Sequence, residues 1–453
     1  MPEVEAQSGA PGQENRAACF RHTLYASGNF AKNILWGTTE ITLLFMMTEM
    51  LGIRPALAGA IILGSLFFDA LLTPAVGIAC DRLHAPRFGR YGIFILPGAP
   101  LAGLTFALLY ALPWLGLTGP LAAGALLLGF RAAYALIDLP HNALLTTVTE
   151  HSPQRAGLSL LRFLFSSLAA LLLAFSIGPL SAGAVQTAFS PERLAIYGSV
   201  VGLAAALVMI ASWTAVAKED RADARPASPP HSWLASWRAC WNCPSYKVAL
   251  AAGAAAALTI PLFSKSLLYL AGPVWERPAL ASSMLIAMIG GQIGGILIWT
   301  RVCRHRSTRW ALCAAHCVVA TGCLTILSAG SSNPWGLHGG AMMIGIGAAG
   351  VFALIWNLVA DSCKAILGRS GIPVDGTAFS IAIVSQKAAI GMGAAAFGIA
   401  LDATGYRAGL PVTASTRFAI EAAGFIIPAL GSILIALMLC IAARSRGPDT
   451  ASR

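Results

Sequence analysis

Charge is scarce in this chain. Asp, Glu, Lys and Arg make up 11% of its 453 residues, against about 25% in soluble domains, while 57% are hydrophobic. That balance excludes a soluble globular protein and points to the bilayer. Acids are scarcer than bases: 19 Asp and Glu stand against 30 Lys and Arg, a net charge of +11. In a soluble protein such an excess would suggest nucleic acid. In a polytopic membrane protein it is the positive-inside bias, so no nucleic-acid partner is expected. Apolar residues are also few at the start: Met1 to Phe20 is polar, with no apolar core. No cleaved signal peptide is therefore expected, and the N-terminus should remain cytoplasmic.

Patterns for catalysis and metal binding are missing as well. The chain has no H-E-x-x-H and no G-x-S-x-G, the spacings that would mark a zinc protease or a serine nucleophile. His141, beside Pro140, is the only histidine near a polar site and is expected to pack or cap at the cytoplasmic end of its helix. The ten cysteines are scattered, most of them in apolar segments, which suits reduced packing residues rather than a disulfide framework. Cys240-Trp241-Asn242-Cys243 lacks a second Cys or His pair at zinc-ligand spacing and reads as a short helix and turn leading into the next span. No enzymatic activity, metal or cofactor is expected.

What is present is length in apolar runs. Windows long enough to cross ~30 Å as helices recur twelve times, at 24–51, 55–79, 92–113, 119–143, 157–179, 190–216, 246–272, 280–300, 310–330, 335–360, 377–401 and 418–442. Lys218 to Cys243 is the longest polar interruption, with Pro226-Ala227-Ser228-Pro229-Pro230 at its centre. It divides the chain into a tail (1–22), a six-helix half (23–217), a middle loop (218–245), a second half (246–443) and a C-terminal tail (444–453). Connections after even-numbered spans carry fifteen Lys and Arg, those after odd-numbered spans only five (Arg54, Arg193, Arg277, Arg407, Arg417). That asymmetry predicts both termini in the cytoplasm of a cell that carries the protein in its inner membrane. The expected fold class is an all-α polytopic membrane protein of twelve transmembrane helices in two six-helix halves. The pattern resembles the major facilitator architecture, whose halves rock around a midplane site.

Two local features carry more information. Leu66-Phe67-Phe68-Asp69-Ala70-Leu71-Leu72-Thr73-Pro74 places one carboxylate, Asp69, inside an apolar helix. A charge at bilayer depth costs ~2.5–3.5 kcal/mol on insertion scales, so it normally faces a polar cavity. That helix runs into Gly77-x-x-x-Asp81-Arg82, followed by Gly89-Arg90-Tyr91. The hairpin looks like the major facilitator loop motif with an enlarged spacer. In it Gly77 would allow close helix packing, Asp81 would offer a carboxylate to a helix N-terminus or to loop arginines, and Arg82 and Arg90 would hold the cytoplasmic side.

Further stretches match in order along nearly the whole chain: Gly28-Asn29-Phe30-Ala31-Lys32-Asn33, Phe68-Asp69-Ala70 with Pro74, Tyr134 with Ile137-Asp138-Leu139-Pro140, Arg162-Phe163, Ala360-Asp361, and Gln386-Lys387. Together they resemble the glycoside–pentoside–hexuronide:cation symporter family, which includes the melibiose permeases. The resemblance implies secondary active transport of a small solute, most simply a sugar, glycoside or uronide-like compound, by a monomer in the lipid bilayer. It also implies that Lys32, Asn33, Tyr134, Asp138 and Arg162 lie at or beside the sugar site, with Lys387 as the family's span-eleven lysine. Asn142, one turn after Asp138, stands where a Trp would be expected. The wider clan includes lysophospholipid carriers, so a non-sugar amphipathic or anionic solute, or an uncoupled facilitator, remains the alternative.

Ionisable residues well inside the spans are Lys32, Glu40, Asp69, Arg131, Asp138, Arg162, Lys265 and Lys387. Residues seven apart share a helix face, which groups Asn33 with Glu40 and Arg131 with Asp138. A carboxylate at Asp138 can accept from vicinal hydroxyls while a guanidinium at Arg162 donates a planar fork. The bland reading is that Arg131, Asp138, Arg162 and Lys387 merely neutralise one another, that Lys387 pairs with Asp69 or Asp138, and that Lys32 snorkels to the cytoplasm. The resembled family builds its sodium site from two span-two carboxylates with an Asn beside the second and a span-four hydroxyl. Here Asp69 stays, but Thr73, Leu72 and Ala135 hold the other places. One carboxylate with one hydroxyl is a thin set for sodium, so a proton carried on Asp69 or Glu40 is the favoured coupling ion. Five bases within the spans against three acids would accommodate an anionic ligand.

Overall fold

The computed structural model describes residues 11–83, 87–148, 152–181, 190–222, 233–372 and 374–444. The described residues are helical nearly throughout, as lipid requires: with no water to satisfy the backbone, each spanning segment must close its own hydrogen bonds. The first half comprises α1 (Pro11–Glu49), α2 (Pro55–Arg82), α3 (Gly92–Ala111), α4 (Pro120–Val148), α5 (Ser152–Ser181) and α6 (Pro191–Thr214). Two short helices, α7 (Ala217–Ala222) and α8 (Trp233–Trp241), lie in the connection between halves. The second half comprises α9 (Pro244–Thr259) with α10 (Leu262–Tyr269), α11 (Ala279–Val302), α12 (Thr308–Ala329), α13 (Pro334–Ser370), α14 (Asp375–Ala403), and α15 (Ala414–Glu421) with α16 (Ile427–Arg444). The twelve expected spans are all present. Eleven are long and apolar enough to cross a bilayer by length and composition; the twelfth, α1, carries Lys32, Glu40 and Glu49 within its 39 residues.

The differences from the expected boundaries have local causes. The seventh span is interrupted at Pro261, where α9 gives way to α10, and then widens into a π-helical turn over Leu270–Val274. The twelfth carries a similar π turn at Ala422–Ile426. The tenth continues ten residues beyond its apolar window, taking Asp361, Lys364 and Arg369 into the helix, and stops at Gly371 in the left-handed conformation (φ +67°). Glycine is the residue that reaches that cap without a steric penalty. Large apolar side chains such as Leu71, Leu203, Leu434 and Ile441 are exposed, the outward face that lipid would cover.

The bundle has a proximal end, where the α2–α3 hairpin and α7–α8 lie, and a distal end, where α1 hands over to α2. The halves meet distally. α2 packs on α14 so closely that a methyl added at Gly398 would fall 2.3 Å from the Pro55 carbonyl oxygen, and one at Gly59 2.8 Å from Ala395 Cα. Small residues there let two backbones touch. α5 meets α11 through the Ser282 hydroxyl, which donates to the Ala174 carbonyl.

Candidate functional site

The site is built where α1 and α4 run antiparallel through the middle of the first half. Residues four apart lie on one helix face, so α1 presents Lys32, Trp36 and Glu40 as a stripe, and α4 presents Arg131, Tyr134, Asp138 and Asn142. The stripes pair rung by rung. At the proximal rung Lys32 Nζ donates to Asp138 Oδ1 (2.8 Å) and Asn142 Oδ1 (2.7 Å). At mid-depth the rings of Trp36 and Tyr134 stand 5.6 Å apart, and the Tyr134 hydroxyl donates to the Lys32 carbonyl (3.4 Å). Distally Arg131 Nη2 donates to Glu40 Oε1 at 3.3 Å.

The proximal rung extends to α5. Arg162 donates through Nη2 to Asn142 Oδ1 and through Nε to Asn29 Oδ1 (3.0 Å). Asn33 Nδ2 donates to Ser166 Oγ (2.9 Å), as does Asn29 Nδ2 (3.2 Å), and Asn142 Nδ2 donates to Asp138 Oδ1 (3.1 Å). The expected residues Lys32, Asn33, Asp138, Asn142 and Arg162 are thus one hydrogen-bonded cluster, with Tyr134 at its edge. Lys32 is 3% exposed and paired, so it does not snorkel; the carboxylate of Asp138 offers a better partner than the interface. A third of the Asp138 side chain remains exposed, and Asn142 is exposed too, so the cluster opens toward the proximal end.

The second group links the halves. Asp69 on α2 is fully buried, and its Oδ2 lies 2.7 Å from Lys387 Nζ on α14. Lys387 also donates to Thr73 Oγ1 (3.2 Å), whose own proton goes to the Asp69 carbonyl. Asp69 Oδ1 is buried without a hydrogen-bond partner among the described residues. Asp69 is therefore paired, and of the two partners expected for Lys387, Asp69 and Asp138, it takes Asp69. The third group is a triad. Glu40 accepts from Arg131 and, through Oε2 at 2.8 Å, from Lys265 Nζ of α10, which also donates to the Glu40 carbonyl. Arg131 thus serves Glu40 and not Asp138, seven residues on, because α1 runs antiparallel and presents its acid at the distal rung. Arg131 is 0% exposed, and its guanidinium packs on the Trp36 indole at 4.5 Å.

Both ends are fastened by residues that the sequence motifs do not include. Proximally, Asp220 on α7 accepts from the backbone N–H of Arg90, Tyr91 and Gly92 (2.8–3.1 Å) and from Trp213 Nε1 (2.9 Å). An acid at the N-terminus of α3 is favoured by its unpaired N–H groups and dipole. Gly89, at φ +77°, allows the approach: a methyl there would lie 2.5 Å from Asp220 Oδ2. Arg90 Nε donates to the Cys80 carbonyl (2.8 Å). Gly77 has the weaker role, since a methyl on it would meet Leu139 Cδ2 at an ordinary 3.4 Å. The side chains of Asp81 and Arg82 lie outside the described residues. Distally, Thr48 and Tyr269 share a hydrogen bond (2.8 Å), and the Tyr406 hydroxyl donates to Glu49 Oε1 (2.7 Å). His141 is buried, stacked on Tyr25 and hydrogen-bonded to Ser212 (3.0 Å), the packing role expected of it. Cys240 and Cys243 flank the turn between α8 and α9, and burial pushes the Cys240 thiol up to about 11.

The family model described as MFS/sugar transport protein matches residues 24–443. The symporter YnaJ of Bacillus subtilis (strain 168), itself uncharacterised, is 33% identical over 35% of this chain and 34% of its own length; the chain thus matches about a third of that relative. The isoprimeverose transporter of Lactiplantibacillus pentosus is 23% identical over 92% of this chain and 86% of its own. Among solved structures, the nucleoside transporter NupG superposes with a TM-score of 0.65 at 14% identity, covering 93% of this chain and 99% of that one, which shows the shared fold. With twelve spans in two halves and a family match over almost its whole length, this chain belongs to the MFS/sugar transport protein family of multi-pass membrane transporters.

Proposed function

We propose that the protein moves a sugar or uronide-like solute by alternating access, coupled to a proton, and that the present conformation is open to the cytoplasm. The proximal end, with both termini, is the cytoplasmic one by the loop-charge asymmetry. The polar cluster of Lys32, Asn33, Asp138, Asn142 and Arg162 faces that end, and its donors and acceptors suit a polyhydroxylated ligand. The near-full-length likeness to an isoprimeverose transporter supports the substrate class. Arg162 is held by amide oxygens, with no carboxylate partner among the described residues, which favours an acidic sugar over a neutral one.

The observation that carries the coupling is Lys387. Its ammonium sits between Asp69 and Thr73, where the resembled sodium site would have a cation and a second carboxylate. Sodium would have to displace a covalently tethered cation and bind a thin set of oxygens. A solute at the Lys32–Asp138 cluster that draws Lys387 away from Asp69 leaves that acid buried and unpaired, and protonation is then the available way to neutralise it. Solute and proton therefore bind together, and Lys387 returns to Asp69 when both leave. Uptake of methyl β-D-glucuronide and methyl β-D-xylopyranoside into proteoliposomes, under an imposed proton or sodium gradient, tests this reading. The proton gradient should drive accumulation; stimulation by sodium alone would overturn it.

A further inference from the structure

Sugar sites set an aromatic face against the C–H face of the ring. The α4 position expected to supply it is Asn142, whose amide is committed to Lys32 and Arg162. We propose that Trp36 on α1 is the stacking platform for a pyranose ring, a subsite that the sugar-motif residues do not include. The inference rests on the transport reading above and deepens it.

Position is the first ground. Trp36 lies one turn, ~5.4 Å of rise, from Lys32 and one turn from Glu40 on the same face of α1. A ring on the indole would therefore present hydroxyls to the Lys32–Asp138–Asn142–Arg162 cluster. The second ground is exposure. The neighbouring aromatics Tyr134 and Phe130 are buried, at 5% and 0%, whereas Trp36 keeps part of its surface open. Its indole N–H is neither buried nor bound to a protein acceptor among the described residues, which leaves a donor for a solute hydroxyl. A tryptophan serving only as core would bury that N–H against a partner.

The third ground is the setting of the ring. Arg131, itself held by Glu40, backs the indole at 4.5 Å, and Tyr134 props it from α4. The platform is thus rigid before the solute arrives, as a binding surface should be. Lys387, from the other half, approaches the same ring at 5.9 Å, the outer limit of cation–π contact. A sugar ring arriving on the indole competes with Lys387 there and turns its ammonium toward the solute, the movement that releases Asp69.

Solute-induced thermal stabilisation of the purified full-length protein tests the platform. The probes are methyl β-D-glucopyranoside, methyl β-D-xylopyranoside and methyl β-D-glucuronide, with sorbitol as the acyclic comparison. Wild type should be stabilised by at least one pyranoside at lower concentration than by sorbitol. Trp36→Phe should keep that preference, while Trp36→Leu should raise the pyranoside midpoint about five- to tenfold and leave the sorbitol response unmoved. If Leu shows no melting transition, Trp36→Met takes its place. Equal midpoints for the Phe and aliphatic variants, or an equal loss for pyranosides and sorbitol, would overturn the platform. A wild type stabilised by none of the pyranosides would remove the sugar reading and the platform with it.

Discussion

Lys265 is the cleanest place to weigh what holds the distal side shut. Its ammonium crosses from the second half to donate to Glu40 Oε2 at 2.8 Å and to the Glu40 carbonyl at 2.6 Å. Lys265→Met keeps the apolar stem and removes both bonds. Glu40 retains Arg131 at 3.3 Å, so no acid is orphaned, and the loss should appear as a conformational shift rather than unfolding. A hydrogen bond to a charged group contributes about 1.5–3 kcal/mol, which moves the ratio of distally open to distally closed protein about 10- to 150-fold. Glu40→Gln is the contrast: it leaves fully buried Arg131 and Lys265 sharing no acid, and breaking a buried pair in that way costs about 3–5 kcal/mol. It should lower the melting temperature. Electron–electron resonance distances between spin labels at Leu115 and Trp335, both exposed at the distal end, report the opening once the exposed thiols Cys19, Cys317 and Cys440 are replaced. Lys265→Met should populate a longer distance. An unchanged distribution, with an unchanged melting temperature for Glu40→Gln, would refute the claim that the triad closes the distal side.

Other consequences are simpler to read. Asp69→Asn removes the acid and leaves Lys387 without its ion-pair partner, so solute exchange should persist in counterflow while accumulation driven by a proton gradient is lost. Asp220→Asn weakens the cap on α3 and should lower unfolding free energy by about 2 kcal/mol, with Gly89→Ala acting on the same contact and lowering the melting temperature similarly. Gly398→Val places a branched side chain against the Pro55 carbonyl, which should prevent distal closure and slow net transport while leaving distal-side binding measurable.

The sequence read the bundle well because lipid leaves so few solutions. Apolar length and loop charge mark the spans, and only local events such as the Pro261 break or the helical extension to Ser370 escape them. The site was legible in part. Lys32, Asn33, Asp138, Asn142 and Arg162 do come together, and Lys387 does reach α2. Partner choice was not legible. Spacing of i and i+7 groups Arg131 with Asp138, yet the antiparallel course of α1 and α4 gives Arg131 to Glu40 and Asp138 to Lys32. Periodicity describes one helix, whereas an ion pair is a property of two. Trp36 carried a usable signal, since it lies at i+4 from Lys32 and i−4 from Glu40, in the same stripe as the charges. Asp220 carried none: it sits in a polar run indistinguishable from ordinary loop, and only the fold brings it to the N-terminus of α3.

Proton movement measured during solute entry tests the central claim most directly. Proteoliposomes in weakly buffered medium, given the pyranoside that best stabilises the protein, should alkalinise the external medium as solute and proton enter together. Asp69→Asn vesicles should take up solute by exchange without that signal. Solute entry in wild-type vesicles with no proton movement, or an alkalinisation that survives in Asp69→Asn, would contradict the account.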